Sequence, residues 1–352
     1  MARRLGITVP FPDASLAGHR QWYADLAAAG YSDVWSAEVD GADGFTPLAL
    51  AAAWQPDLRL GIAIAPAFTR GPALLAQTVA AMAEAAPGRF AFGLGSSSDV
   101  IVERWNGIPF DRPYARVRDT LRFLRAALAG EKVRTAYETF SVEGFRLARP
   151  VADPPPLYLA ALRPGMLRLA GREADGVILN WLAADDVPVS LAEVHAGAAR
   201  RREESATAAG PAGPAGLAGP AGPAGPAGPA GQEVVARIFV VPEPDPEVAR
   251  GVARRMIAAY LTVPAYAAFH RWLGRAPRLD AMWRAWAAGD RAGALAAIPD
   301  DVVDALVVHG DVAACRDHVA RYVANGVTVP VLAVVTAGAG LREPVLSLAG
   351  GR

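Results

Sequence analysis

Three short stretches of this chain pair chemically able residues with the ends of apolar runs: "SAEVD" (36–40), "GLGSSSD" (93–99) and "LRPGM" (162–166). Glu38 in the first could serve as an acid or base, or as a cofactor contact. In the second, Gly93 and Gly95 leave backbone N–H groups unhindered, and Ser96, Ser97 and Ser98 add hydroxyls. In the third, Arg163 and Gly165 stand at the start of an expected helix, where free N–H groups and the helix dipole favour an anion. Asn180 and Trp181 close another apolar run, and Trp181, Phe68 and Trp105 offer flat apolar surface. Taken together, these residues could bind a planar cofactor that carries a phosphate. Each also has a plainer reading: a tight polar turn for "GLGSSS", a solvated side chain for Arg163, and a surface carboxylate for Glu38. The cluster Arg112, Arg116 and Arg118 in "FDRPYARVRD" reads as a solvated helix face or as partners for an anionic cofactor tail.

Other chemistries lack their residues. The five histidines (His19, His195, His270, His309 and His318) form neither HxH nor HExxH and do not directly end a core strand, so no metal site is expected. "GSSSD" is not the GxSxG elbow of a serine hydrolase. Cys315 is the single cysteine, so no internal disulfide can form, and it reads as a buried, inert thiol. Thirty-five basic and 35 acidic side chains balance, which gives no global attraction to nucleic acid or to an acidic membrane. The N-terminal apolar run is too short for a signal peptide, and no run reaches the roughly 18 apolar residues of a membrane span. A cytoplasmic protein is expected.

The elements that must position these residues alternate. Apolar strands are expected at 5–9, 33–38, 58–65, 89–95, 156–161, 175–182, 234–241 and 327–335. Helices are expected at 15–30, 46–54, 71–86, 114–130, 165–174, roughly 185–205 and 311–326, with a further helical region running to about 297. Strands apolar on both faces with helices between them imply a parallel sheet. Eight such units predict an α/β fold, a closed (β/α)8 TIM barrel, with an open doubly wound sheet as the alternative. In the barrel, the residues that follow the strands, among them Glu38, Ser96–Ser98, Arg163 and Asn180, fall on the active rim, at the C-terminal strand ends. The whole chain, 1–352, is expected to be a single barrel domain, interrupted at 210–231 by a low-complexity Gly-Pro-Ala insertion. The tract has the glycine period of collagen, but a triple helix needs three chains. A tolerated surface insertion on the face away from the rim is the simpler reading.

The segments "LRLGIAIAPAFTRGPALLAQTVAAMAEAAPGRFAFGLGSSS", "WNGIPFDRPYARVRDTLRFLRAALAGE" and "PPLYLAALRPGMLRLAGREADGVILNW" resemble, in order and spacing, the luciferase-like monooxygenase superfamily. Within it they are most similar to oxidoreductases that use the deazaflavin coenzyme F420. The resemblance runs from residue 5 to about 335. It implies a luciferase-like barrel with an insertion region around the seventh strand, and hydride transfer at the central ring of a deazaflavin or flavin. It implies a non-proline cis bond at Ala63–Ile64 that buttresses the ring. It places Ser96, Ser97 and Ser98 near the cofactor, Ala160, Ala161, Leu162 and Arg163 at its phosphate, and Asn180 at the phosphate or tail. Some relatives carry a histidine after the second strand, where this chain has Glu38, and a glutamate after the fourth, where it has Ser98. Their sugar-phosphate chemistry is therefore not carried over, and Glu38 is taken as the proton donor. Three functions stay open: an F420-dependent oxidoreductase acting on a small-molecule substrate, an FMN-dependent monooxygenase, and a non-catalytic cofactor-binding barrel. A homodimer is the family expectation. The aromatic-rich segment 260–274, with Tyr260, Tyr266, Phe269 and Trp272, could line a substrate pocket or form core contacts.

Overall fold

A computed structural model describes residues 4–209, 231–338 and 340–350. Eight parallel strands form a closed ring: β1 (Gly6–Thr8), β2 (Asp33–Ser36), β3 (Arg59–Pro66), β4 (Phe90–Gly95), β5 (Leu157–Ala160), β6 (Gly176–Asn180), β7 (Glu233–Val241) and β8 (Val329–Val334). Each pairs with its sequence neighbours, and β8 pairs with β1, so the sheet is the (β/α)8 barrel and the open alternative falls. Helices α1 (His19–Ala29), α2 (Thr46–Trp54), α3 (Pro72–Ala85), α4 (Pro113–Leu128), α5 (Pro164–Glu173) and α6 (Val187–Ala209) return the chain between the first seven strands. Proline at the first helical position starts α3, α4 and α5, where its missing N–H costs no hydrogen bond.

The region around β7 is larger than a plain barrel needs. The sequence reads as one helical region here, but the structure divides it. After β7 come α7 (Pro246–Leu261), α8 (Pro264–Trp272), α9 (Ala276–Ala287), α10 (Arg291–Ala296) and α11 (Asp300–Leu306). The breaks fall at Pro264, at Pro277, and at Asp290, which caps α10 by accepting from Gly293 N at 2.8 Å. A two-residue strand, Val308–His309, then pairs with β7, and α12 (Val312–Ala324) leads into β8. The final helix is α13 (Arg342–Leu348). The sequence shows neither α13 nor, between α4 and β5, an antiparallel hairpin, Val133–Ala136 with Ser141–Phe145. Its apolar side covers Phe123 of α4 with Tyr137, Phe140 and Phe145. Apart from Gly231, the Gly-Pro-Ala tract lies outside the described residues. No helix among the described residues is long and apolar enough to cross a membrane.

The lower barrel is filled by two aromatic side chains. Trp35 and Tyr158 stack with centroids 6.3 Å apart, among Ala91, Ile178, Val235, Val329 and Val331. Glycine makes room for them: a Cβ on Gly61 would lie 2.3 Å from the Trp35 ring, and one on Gly176 would lie 2.6 Å from Tyr158. Below this layer Arg4 bridges Asp33 and Glu233, and the Tyr158 hydroxyl donates to Glu233. Every charge at the base thus has a partner.

Candidate active site

The mouth of the barrel is organised around an irregularity in β3. The Ala63–Ile64 peptide bond is cis, and the β3–β4 register slips between Ile62 and Ala65. Ala63, Ile64 and Ala160 pack on top of the barrel-interior cluster. Gly95 is close to the same spot: a Cβ there would lie 3.0 Å from Ile64 Cδ1 and 3.2 Å from Ala160 Cβ. The loop after β2 is tied to the bulge, because Glu38 N donates to Ile64 O at 3.2 Å.

Glu38 lies beside the bulge, but its carboxylate is engaged. Oε1 accepts from Gly44 N at 3.0 Å, and Oε2 accepts from Arg70 Nη1 at 2.5 Å. Arg70 in turn lies over the Phe45 ring, 4.8 Å from its centroid. The loop is closed further by Ser36, whose hydroxyl donates to Gly44 O at 2.5 Å, and by Asp43, whose carboxylate accepts from Phe45 N and Thr46 N. Those bonds hold the Asp43 carboxyl below the usual carboxylate range against the opposing effect of burial. A carboxylate held this way organises a loop.

Beyond β4 and β5 the chain opens two adjacent turns. Gly95 and Ala160 are cross-strand neighbours, so Ser96–Ser98 and Ala161–Arg163 leave the barrel side by side. Ser97 takes a left-handed backbone (φ 63°). Ser98 Oγ accepts from Ile101 N at 3.3 Å and so starts a short π-helical turn, Val100–Trp105. Ala161 is buried, whereas Arg163 and Gly165 are exposed. Arg163 is the N-cap of α5 and its side chain has neither a hydrogen bond nor an ion pair among the described residues, so its guanidinium stands beside a helix end with free N–H groups.

On the other side of the mouth, Asn180 ends β6. Its Nδ2 donates to the Tyr266 hydroxyl at 2.8 Å, and its Oδ1 is buried with no partner. Burial pushes the Tyr266 phenol up to about 12. Trp181 departs from expectation. It is 1% exposed and stacks on Phe239 at 4.1 Å and against Tyr260 at 4.9 Å, so its face is spent inside the wall rather than offered at the rim. Phe68 is likewise buried, and Trp105 is exposed on the π-helical turn.

Two corrections concern the arginine cluster. Arg116 is no solvated face: Nε donates to Ala67 O at 3.0 Å and the guanidinium lies over Phe140 and Phe68. Arg118 is held by Asp119 and Glu138. Only Arg112, 3.7 Å from Glu138, keeps its head largely in solvent. The sequence reading also passed over Thr8 and Arg237. Thr8 Oγ1, at the end of β1, and Arg237 Nε, midway along β7, are both buried without a partner. Arg237 had a visible signal, as the single charge inside "VVARIFVV".

A model of the luciferase-like monooxygenase family matches residues 4–329. A 5,10-methylenetetrahydromethanopterin reductase of Methanolobus tindarius is 30% identical over 178 residues, 50% of this chain and 54% of the reductase, so the match spans about half of that protein. A Mycobacterium tuberculosis protein named as a coenzyme F420-dependent oxidoreductase is 27% identical over 359 residues, with 94% of this chain and 93% of the relative covered. Among solved structures, an F420-dependent secondary alcohol dehydrogenase in complex with an F420-acetone adduct superposes with a TM-score of 0.76 at 14% identity, covering 100% of this chain and 98% of that one. The coenzyme F420 dependent tetrahydromethanopterin reductase from Methanopyrus kandleri gives 0.73 at 19% identity, covering 99% and 97%. At these identities the superpositions speak to the fold.

Proposed function

The chain belongs to the luciferase-like monooxygenase family, and on that premise we propose that it is an oxidoreductase that transfers a hydride between coenzyme F420 and a small organic substrate. One observation carries the reading: an unpaired Arg163 at the free N-terminus of α5, beside the Ser96–Ser98 turn and on the same rim as the cis bond of β3. That is an anion site next to a backbone platform. The Mycobacterium tuberculosis relative, named as a coenzyme F420-dependent oxidoreductase, supports the choice of cofactor.

The residues present fit such a group. Gly95 leaves the platform at Ala63, Ile64 and Ala160 uncovered, since even a methyl there would crowd Ile64. The N–H groups of Gly165 and Met166, with Arg163 and the Ser97 hydroxyl, would hold the phosphate. When bound, F420 supplies or accepts the hydride at its central ring. Ala63 and Ile64 would support that ring, and Asn180 would contact the bound group from the end of β6. Glu38 enters as a positioning residue, which fixes loop 37–46 against the bulge through Gly44 and Arg70.

Titration of intrinsic tryptophan fluorescence with reduced F420 and with FMN tests the reading. F420 is expected to quench saturably, and FMN to bind at least tenfold more weakly. Arg163→Met should weaken F420 about tenfold, the loss of one charge-assisted contact. Preference for FMN, or no effect of Arg163→Met, would overturn the reading.

A further inference from the structure

Arg237 is a charge inside the barrel without a counter-ion. It lies in register with Asn180 of β6 and Val331 of β8. Strand alternation puts it on the same face as Val235, which belongs to the interior cluster with Trp35 and Tyr158, and Phe239, whose ring its guanidinium covers at 4.8 Å. Arg237 therefore stands one layer above the packed floor. No carboxylate among the described residues pairs with it, and its buried Nε has no acceptor. A guanidinium stays charged at every accessible pH, and a desolvated charge is costly unless something pairs with it. Arg4, at the base of the same barrel, has two carboxylates.

The surroundings supply the rest of a site. The Tyr266 hydroxyl accepts from Asn180 Nδ2, and its own proton goes to no residue among those described. Arg237 raises no barrier to an anion here; it also favours the ionised phenol of Tyr266. Tyr260 and Tyr266 meet edge to face at 5.9 Å and are both half-buried, an apolar wall beside the charge. In the ring of eight strands, β7 is four strands from β3 in either direction. The guanidinium thus faces the Ala63–Ile64 platform across the mouth.

The geometry points to a carboxylate-binding subsite formed by Arg237 and Tyr266: the substrate is a small organic acid whose carboxylate pairs with the guanidinium and takes the phenol hydrogen bond, with its apolar body on the tyrosines. The assignment of this acid as the substrate rests on the hydride-transfer reading, whereas the anion subsite does not. A carboxylate or phosphate of the cofactor shares the same chemistry, and the test separates the two.

Benzoate and its neutral isostere benzamide serve as probes, read by tryptophan fluorescence, since Trp181 stacks on the ring that Arg237 covers. The wild-type protein should bind benzoate at least tenfold more tightly than benzamide. Arg237→Gln should bring the two within threefold, Tyr266→Phe should weaken benzoate about fivefold, and Arg237→Lys should keep part of the preference. Ligand-free Arg237→Gln should also melt slightly higher than the wild type, because a half-buried charge without a counter-ion is gone. A lower melting temperature would mark the arginine as structural and overturn the proposal, as would equal binding of the two probes. Arg237→Gln should leave F420 affinity within threefold. A tenfold loss of F420 affinity with benzoate unaffected would hand the guanidinium to the cofactor and overturn it too. If the wild type discriminates benzoate but binds no F420, the hydride-transfer reading fails and the subsite stands.

Discussion

The two ends of the barrel handle polar groups in opposite ways. At the base, Arg4, Asp33, Glu233 and Tyr158 saturate one another, and glycines let two aromatic rings close the floor. At the mouth, Thr8, Asn180 and Arg237 keep buried atoms with no partner. Buried orphans also occur elsewhere among the described residues, at Trp35 Nε1 in the floor and at Arg59 Nε at the start of β3; those at the mouth stand where a ligand on the rim would complete the bonding. The base is built for stability and the mouth is left incomplete, which is the division of labour expected of a (β/α)8 barrel.

The sharpest way to break this contrast is to add one methyl at each end. A Cβ at Gly61 would lie 2.3 Å from the Trp35 ring, which fills the floor. Gly61→Ala should cost on the order of 3 kcal/mol or more and leave little soluble protein. At Gly165 the nearest atom is 4.0 Å away, on Tyr114. Gly165→Ala should stabilise α5 by about 0.5 kcal/mol in the ligand-free protein while weakening F420 binding. Thermal melts with and without F420 read both changes. If the two variants lose stability equally, the ends do not differ as described.

Next in size are the ion pairs. Asp33 is 1% exposed and held by Arg4, so Asp33→Asn should cost about 3 kcal/mol in denaturant melts and leave F420 affinity within twofold. The Glu38–Arg70 pair is less buried, and removing either partner should cost about 1 kcal/mol. Glu38→Gln and Arg70→Met should reduce turnover to a similar degree, several-fold, and their double variant should be no worse than either alone. Were Glu38 the proton donor, its removal would lower kcat far more than that of Arg70 and shift the acid limb of the pH profile.

The barrel was legible in the sequence because each strand is an apolar run and each helix carries stop and start residues such as Gly30 and Pro72. The hairpin at 133–145 was not, since its short strands are mostly exposed and show no apolar run. The rim was legible as a set of strand ends. What each side chain does there was less so, because partners lie far along the chain: Arg70 is 32 residues from Glu38, and Tyr266 is 86 from Asn180. Trp181 was misjudged for the same reason. Its neighbours Phe239 and Tyr260 come from β7 and α7, and only the folded chain brings them over its ring.

The smallest expected effect lies in the wall behind the mouth. His270 on α8 is fully buried, and burial first, then the nearby Arg275, pulls its pKa down to about 3. The folded protein therefore holds this ring neutral, while the unfolded chain protonates it below about 6.5. Between those values the unfolded state binds the extra proton, so stability rises with pH and falls on acidification. The loss is negligible at pH 7.5 and about 1 kcal/mol at pH 6, and it grows toward pH 3. His270→Gln should remove this slope, flattening the pH dependence of the denaturant midpoint between pH 6 and 7.5. Base and wall then differ in kind: the paired base around Asp33 resists a substitution only by losing its pair, whereas the wall at His270 yields to protons alone. A wild-type midpoint that does not move between these pH values would mean that the ring finds a proton acceptor in the folded state.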